Sequence, residues 1–167
     1  KETDELGGRE PYSISKVCSE LITKSYVETF FKEKFLKNKV STARSGNVIG
    51  GGDWSNDRVI PDCIKSWSKN KPVKIRNPKS TRPWQHVLDV VRGYIESAII
   101  GKKNKKKING EAFNFGPKPN QNKSVIQLIS QMKNHWKKVR WIIKKEKKNK
   151  KESKLLKLNS IKSKKVL

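Results

Sequence analysis

Apolar side chains recur at helical spacing over residues 12–35, where Val17, Leu21, Ile22, Tyr26, Phe30 and Phe31 are interleaved with Lys and Glu. The spacing predicts a long helix with one buried face. Pro11 fits its first turn, and Gly7-Gly8 marks a loop ahead of it. A short β-compatible run at 40–44 leads into Gly46-Asn47-Val48-Ile49-Gly50-Gly51-Gly52-Asp53-Trp54. A strand running into glycines suits the carboxyl edge of a parallel sheet, where open α/β folds bind their ligands. These glycines lack the Gly-x-Gly-x-x-Gly spacing of a dinucleotide fingerprint, and no helical pattern opens from them.

Helical patterns return at 59–68, with Pro61 in the first turn and Ile60, Ile64 and Trp67 on one side, and again at 88–100. A further one covers 124–136, with Ser124 near the N-cap. Residues 73–75, 112–115 and 139–143 read as strands, the second stopped by Gly116-Pro117. Residues 155–158 read as another strand and 160–167 as the start of a helix. The lysine runs at 102–109 and 144–151 read as solvated segments without regular structure.

Composition changes this picture less than its totals imply. A chain of 167 residues is long enough for one domain with a core. A net charge of +25 ordinarily points to a polyanionic partner. Yet residues 1–101 carry 18 basic and 12 acidic side chains, a net of +6, while 102–107 alone hold five lysines. Residues 133–167 add 15 basic and 2 acidic residues, a net of +13, so 18 of the 25 charges lie in one short loop and the tail. These are nearly all lysines mixed with Asn and Ile, a pattern that nucleotide-composition bias produces without any ligand. Phosphate binding usually recruits Arg and aromatics as well. Trp136, Arg140 and Trp141 keep a polyanion-binding module open as an alternative.

Cys18 and Cys63 are too few, and too isolated from His, for a zinc site or a disulfide framework, so no metal is expected and a reducing, cytoplasmic setting is the default. No apolar run approaches the ~20 residues needed to cross a bilayer, and no signal peptide opens the sequence. The first residue is Lys rather than Met, which points to a fragment.

The candidate chemistry begins in Pro11-Tyr12-Ser13-Ile14-Ser15-Lys16. On a helix, Tyr12 and Lys16 emerge from one face on successive turns, and the ammonium favours loss of the phenolic proton. Bringing a tyrosine from ~10 to a working value near ~7 takes about 4 kcal/mol. A lysine in a dry cleft, helped by a second cation, supplies that. Arg82 precedes a proline and is held extended, a posture that suits either a forked phosphate donor or a surface arginine.

Beyond these local readings, a series of segments is similar to the extended short-chain dehydrogenase/reductase superfamily and, within it, to the dehydratases of CDP-glucose. The segments are Glu2-Thr3-Asp4, Gly7-Gly8, Pro11-Tyr12-Ser13-x-Ser15-Lys16, Cys18-x-Glu20-Leu21, and Arg44-x-Gly46-Asn47 through Trp54. They continue with Asp57-Arg58-x-Ile60-Pro61-Asp62, Ile75-Arg76-Asn77-Pro78, Arg82-Pro83-Trp84-Gln85-His86-Val87, Asn114-Phe115-Gly116-Pro117 and Leu156-x-Leu158. Tyr-x-x-x-Lys marks only the superfamily; the Asp-Trp glycine loop and the Arg-Pro-Trp-Gln-His-Val segment are far more specific.

The resemblance implies an α/β fold. Residues 1–55 would be the remaining end of an NAD-binding Rossmann domain with a parallel sheet, and 56–167 a smaller sugar-nucleotide-binding α/β region, both incomplete. It implies that Tyr12 accepts the proton of the sugar 4-hydroxyl while hydride passes from C4 to NAD, and that Lys16 lowers the pKa of Tyr12 and holds the nicotinamide ribose. Water then leaves across C5 and C6 and the hydride returns to C6, giving a 4-keto-6-deoxy sugar. Asn47 would lie near both nicotinamide and substrate diphosphate, Arg58 and Arg82 at the nucleotide phosphates, and Arg76 and His86 at further substrate contacts. His135 receives no role. The parent enzyme is expected to be a homo-oligomer.

The departures from the family pattern matter as well. The glycine-rich loop that grips the pyrophosphate at a helix N-terminus, the third member of the Ser/Thr-Tyr-Lys set and the elimination acid and base are not among these residues. The final family helices are missing, and Asn159 stands where Asp is common. The chain is therefore expected to be a C-terminal portion that neither binds NAD tightly nor turns over alone. The competing readings are another sugar-nucleotide epimerase or dehydratase, the polyanion module, and a decayed gene remnant.

Overall fold

In the computed structural model, which describes residues 1–8, 10–31, 39–103, 108–144 and 155–167, Pro11 opens helix α1 (Pro11–Tyr26) after an extended Glu10. A proline tolerates that place because its missing N–H has no helical partner there. The helix passes into a π-helical turn, Val27–Phe31, whose Val27 is buried. The rest of the expected helix, 32–35, lies outside the described residues.

The described residues form two compact units that interleave along the chain. The first takes Lys1–Ser45, Leu88–Gly116 and Leu158–Leu167; the second takes Gly46–Val87 and Pro117–Lys157.

In the first unit, β1 (Thr42–Ser45) runs parallel to β6 (Ala112–Phe115), with Thr42 opposite Ala112 and Ser45 opposite Phe115. Helix α3 (Val87–Lys103) extends the expected 88–100 at both ends. Lys102 and Lys103 are thus helical, contrary to the solvated-loop reading of 102–109, and Ile108 is buried; 104–107 lie outside the described residues. Ile108 packs beside Phe113 and Phe115, an apolar anchor that the charge pattern does not reveal. Gly93 lets α3 approach β6, since a Cβ there would stand 2.5 Å from the Phe115 ring. Helix α5 (Ile161–Val166) closes the unit through Ser163, whose hydroxyl donates to the Asn114 carbonyl at 2.7 Å.

The expectation of one buried face on α1 is not met: no residue of α1 is buried. Ile14, Leu21, Ile22 and Tyr26 are all exposed, as is Phe30 beyond them. At 100° per residue their directions fan over roughly half the helix circumference. The intermediate positions Ser13, Val17, Glu20 and Thr23, with buried Val27, lie on the opposite side.

In the second unit, β3 (Val73–Ile75) and β8 (Trp141–Ile143) form a parallel pair against α2 (Val59–Ser68) and α4 (Val125–Lys133). Cys63, Trp67, Val73, Ile75, Ile129 and Val139 make the core. The Trp67 ring meets Trp136 edge to face at 5.7 Å, and its Nε1–H donates to the Arg140 carbonyl at 2.8 Å, so the buried indole is satisfied. Helix α4 starts with a reciprocal cap between Ser124 and Gln127 and stops at Lys133, short of the expected 136. Two short pairs complete the unit: β2 (Val48–Ile49) parallel to β5 (Gln85–His86), and β4 (Thr81–Arg82) antiparallel to β7 (Lys123–Ser124).

The strand expected at 155–158 is a single parallel bridge, Thr81 to Leu155. Its partner β4 is only two residues long and already pairs with β7, so little ladder is on offer. The strand expected at 139–143 begins at Trp141, and of the lysine run at 144–151 all but Lys144 lies outside the described residues. Among the described residues no helix is long and apolar enough to cross a membrane, and no cluster of His, Cys, Asp and Glu could hold a metal ion.

Candidate active site

Helix geometry alone brings Tyr12 and Lys16 together. They sit one turn apart at the start of α1, with the Lys16 Nζ 5.4 Å from the centre of the Tyr12 ring. Both are exposed, Tyr12 by 65%, so the first unit by itself gives the pair no dry cleft. Lys16 makes no ion pair among the described residues.

One turn further along α1, Glu20 is engaged by β1. Arg44 donates from Nε to Glu20 Oε2 at 2.8 Å and from Nη2 to Glu20 Oε1, a forked contact on both carboxylate oxygens. The two side chains are only 22% and 16% exposed. The Glu20 hydrogen bond raises Arg44 above its ordinary pKa against the cost of burial, and the charges of Glu20, Glu2 and Asp4 add to it. Glu20 and Arg44 both stand in motif segments of the sequence, but neither carries a role from spacing alone, because they are 24 residues apart and meet only through the fold.

The other candidates belong to the second unit. The glycine loop after Gly46 and the Arg-Pro-Trp-Gln-His-Val segment, the two most specific motifs, lie side by side as β2 and β5. The Gln85 N–H donates to the Asn47 carbonyl at 3.0 Å, and His86 stands opposite Ile49. Glycines set this distance. A Cβ at Gly46 would lie 2.6 Å from Pro83 Cγ and 2.8 Å from the Pro83 carbonyl oxygen, and one at Gly50 would lie 2.6 Å from Val87 Cγ1. Asn47 is half-buried and His86 exposed.

Arg58 is exposed at the N-cap of α2. Asp53 lies ahead of it. Its carboxyl is held below the usual range first by the Ser55 backbone N–H, then by the Ser55 hydroxyl, with the Arg58 and Lys65 charges contributing. Arg76 reaches Asp57 at 3.4 Å in a solvent-exposed ion pair, a contact of small energy. Arg82 differs from these. It is 9% exposed, and its Nη1 donates to the Thr81 carbonyl at 2.9 Å, so its guanidinium is oriented by protein rather than held out to solvent.

The sequence model of the NAD dependent epimerase/dehydratase family matches residues 1–116. A CDP-glucose 4,6-dehydratase from Salmonella typhimurium (strain LT2) is 41% identical over 139 residues, covering 81% of this chain and 38% of that enzyme. Among solved structures, UDP-glucuronic acid 4-epimerase from Bacillus cereus, in complex with UDP-glucuronic acid and NAD, aligns with a TM-score of 0.77 at 22% identity. The alignment covers 100% of this chain and 51% of the epimerase. dTDP-glucose 4,6-dehydratase from Bacillus anthracis, in complex with NAD, aligns with a TM-score of 0.72 at 19% identity, covering 99% of this chain and 48% of that one. The chain thus spans well under two thirds of the length of each, and shares with the two solved structures a Rossmann-like α/β fold.

Proposed function

The chain belongs to the NAD dependent epimerase/dehydratase family, and from that premise we propose that it supplies the acid–base pair and the substrate-binding part of a CDP-glucose 4,6-dehydratase, an NAD-dependent lyase. The supporting observation is the 41% identity to such an enzyme over most of the chain, beside a family match over residues 1–116, which contain the Tyr12–Lys16 pair.

The residues present fit the cofactor's ribose. Lys16 carries an ammonium that no carboxylate claims among the described residues, one turn from a phenol, so two groups able to bond a vicinal diol stand together. NAD, when bound, accepts hydride from C4 and later returns it to C6, so the redox is internal and the cofactor is recycled.

Tyr12 takes the proton of the sugar 4-hydroxyl as C4 becomes a carbonyl, and Lys16 stabilises the phenolate that Tyr12 must be beforehand. Asn47, at the head of the β2–β5 pair, serves both cofactor and substrate diphosphate. Arg58 and Arg82 meet the nucleotide phosphates, Arg82 as a pre-oriented fork and Arg58 from an exposed helix start. Arg76 and His86 line the same substrate region. The acid and base that remove water across C5 and C6 are not assigned to residues of this chain.

The test is product formation from CDP-glucose by a full-length protein carrying this segment, read as the alkaline absorbance of the 4-keto product. The expected result is a kcat/KM for CDP-glucose at least about tenfold above those for dTDP-glucose and UDP-glucose, a difference of about 1.4 kcal/mol at the transition state. Preference for dTDP-glucose, or an epimerised product with no loss of water, overturns the assignment.

A further inference from the structure

The role given to Tyr12 requires a Lys16 cation that no neighbouring carboxylate claims. Tyr12, Lys16 and Glu20 follow one another at four-residue intervals on a single ridge of α1, so Glu20 is the carboxylate placed to bond Lys16. It does not do so. Arg44 on β1 occupies both of its oxygens, with Nε to Oε2 at 2.8 Å and Nη2 on Oε1. The Lys16 Nζ instead lies 5.4 Å from the Tyr12 ring centre.

We infer that Arg44 is a positioning residue for the acid–base pair: by gripping both oxygens of Glu20 it keeps that carboxylate off Lys16 and leaves the ammonium acting on Tyr12. A forked guanidinium fixes the plane of a carboxylate in a way that a single contact does not. The pair is largely shielded from water, so its geometry is held by the fold. Other charged groups surround the pair. Glu2 and Asp4 on the N-terminal segment act on Arg44, and Glu2 also accepts the Asn114 N–H of β6 at 2.9 Å. Glu10 accepts the Ser13 hydroxyl at 3.1 Å, and Lys24 lies one turn beyond Glu20. The inference rests on the reading of Tyr12 and Lys16 proposed above.

The test measures the pH at which Tyr12 ionises, in the whole 167-residue chain, by NMR of isotope-labelled tyrosine with the signal assigned through Tyr12→Phe. In Arg44→Met the freed Glu20 carboxylate turns to Lys16, and the ionisation is expected to rise by roughly 0.5–1 pH unit. The shift is modest because Lys before Glu is the weaker helical order. In Glu20→Gln/Arg44→Met no carboxylate is left to compete, and the value is expected to return to that of the unmodified chain. An unchanged ionisation in a folded Arg44→Met overturns the inference. So does a double variant that shifts as far as the single one, the outcome of a purely structural ion pair. If Arg44→Met does not fold, Arg44→Lys takes its place: a single ammonium cannot hold both oxygens, so a smaller upward shift is expected, and none refutes the inference. Because no substrate enters the measurement, these shifts together with no dehydratase activity in a full-length protein carrying this segment would refute the functional reading alone, and their absence beside an active full-length dehydratase would refute the inference alone.

Discussion

Tyr12 stands 65% exposed, with the Lys16 ammonium 5.4 Å from the ring centre. Two cysteines show the opposite extremes of exposure. Cys18 is exposed on α1, whereas Cys63 is fully enclosed in the second unit, where burial first and the Asp62 charge second push its thiol from 9.0 up to about 12. In the unfolded chain that thiol releases its proton near 9, while in the folded chain it keeps it up to about 12. Between those values the unfolded state binds fewer protons, so stability falls as pH rises through that window. Urea unfolding is expected to show a larger alkaline loss in the native sequence than in Cys63→Ala. A thiol reagent at neutral pH should modify Cys18 alone, with Cys63 reacting only after denaturation. Rapid modification of both in the folded chain would contradict the packing of Cys63. The Tyr12–Lys16 pair is legible in sequence because a helix fixes the i,i+4 relation locally. The Glu20–Arg44 contact is not, because it forms between a helix and a strand.

Among the elements, glycine decides how closely segments approach. Gly46 brings the Asn47 segment against Pro83, where an added Cβ would lie 2.8 Å from a backbone oxygen that has little room to yield. Gly46→Ala is expected to cost about 1–3 kcal/mol in denaturant unfolding and to weaken binding of a nucleotide sugar by the full-length protein. A variant as stable as the parent would mean that the β2–β5 pair is not closely packed. The same level shows where sequence patterns reach their limit. Residues 59–68 carry a helical period and flanking turn residues, and α2 covers that same span. Residues 155–158 carry a β-like composition but find only Thr81, because a strand exists only where a neighbouring edge is open to it. Helix α1 was readable as a helix, yet how much of its apolar surface is covered depends on what lies around it. That information is not in its own periodicity.

At the scale of the whole chain, two features remain to be measured. The exposed apolar residues of α1 are joined in the same unit by Leu88, Val91, Ile95 and Ile99 of α3, all exposed. Surfaces of this kind bind hydrophobic dyes and favour association. The 167-residue chain is expected to enhance the fluorescence of such a dye in its folded state; a chain that leaves the dye dark would mean these faces are covered. The charge of +25 is the second feature. If the lysines are compositional, binding to mixed-sequence DNA should be weak and insensitive to removal of 133–167. Tight binding that falls steeply with salt and disappears with that segment would support the polyanion-binding alternative.

The central claim is that Tyr12 moves the proton when the sugar 4-hydroxyl is oxidised. It is tested most directly by Tyr12→Phe in a full-length protein carrying residues 1–167, with CDP-glucose turnover measured beside NAD content and thermal stability. The expected result is a rate lower by about 10²–10⁴ with the other two unchanged. A Tyr12→Phe protein that keeps more than about a tenth of the parent rate contradicts it.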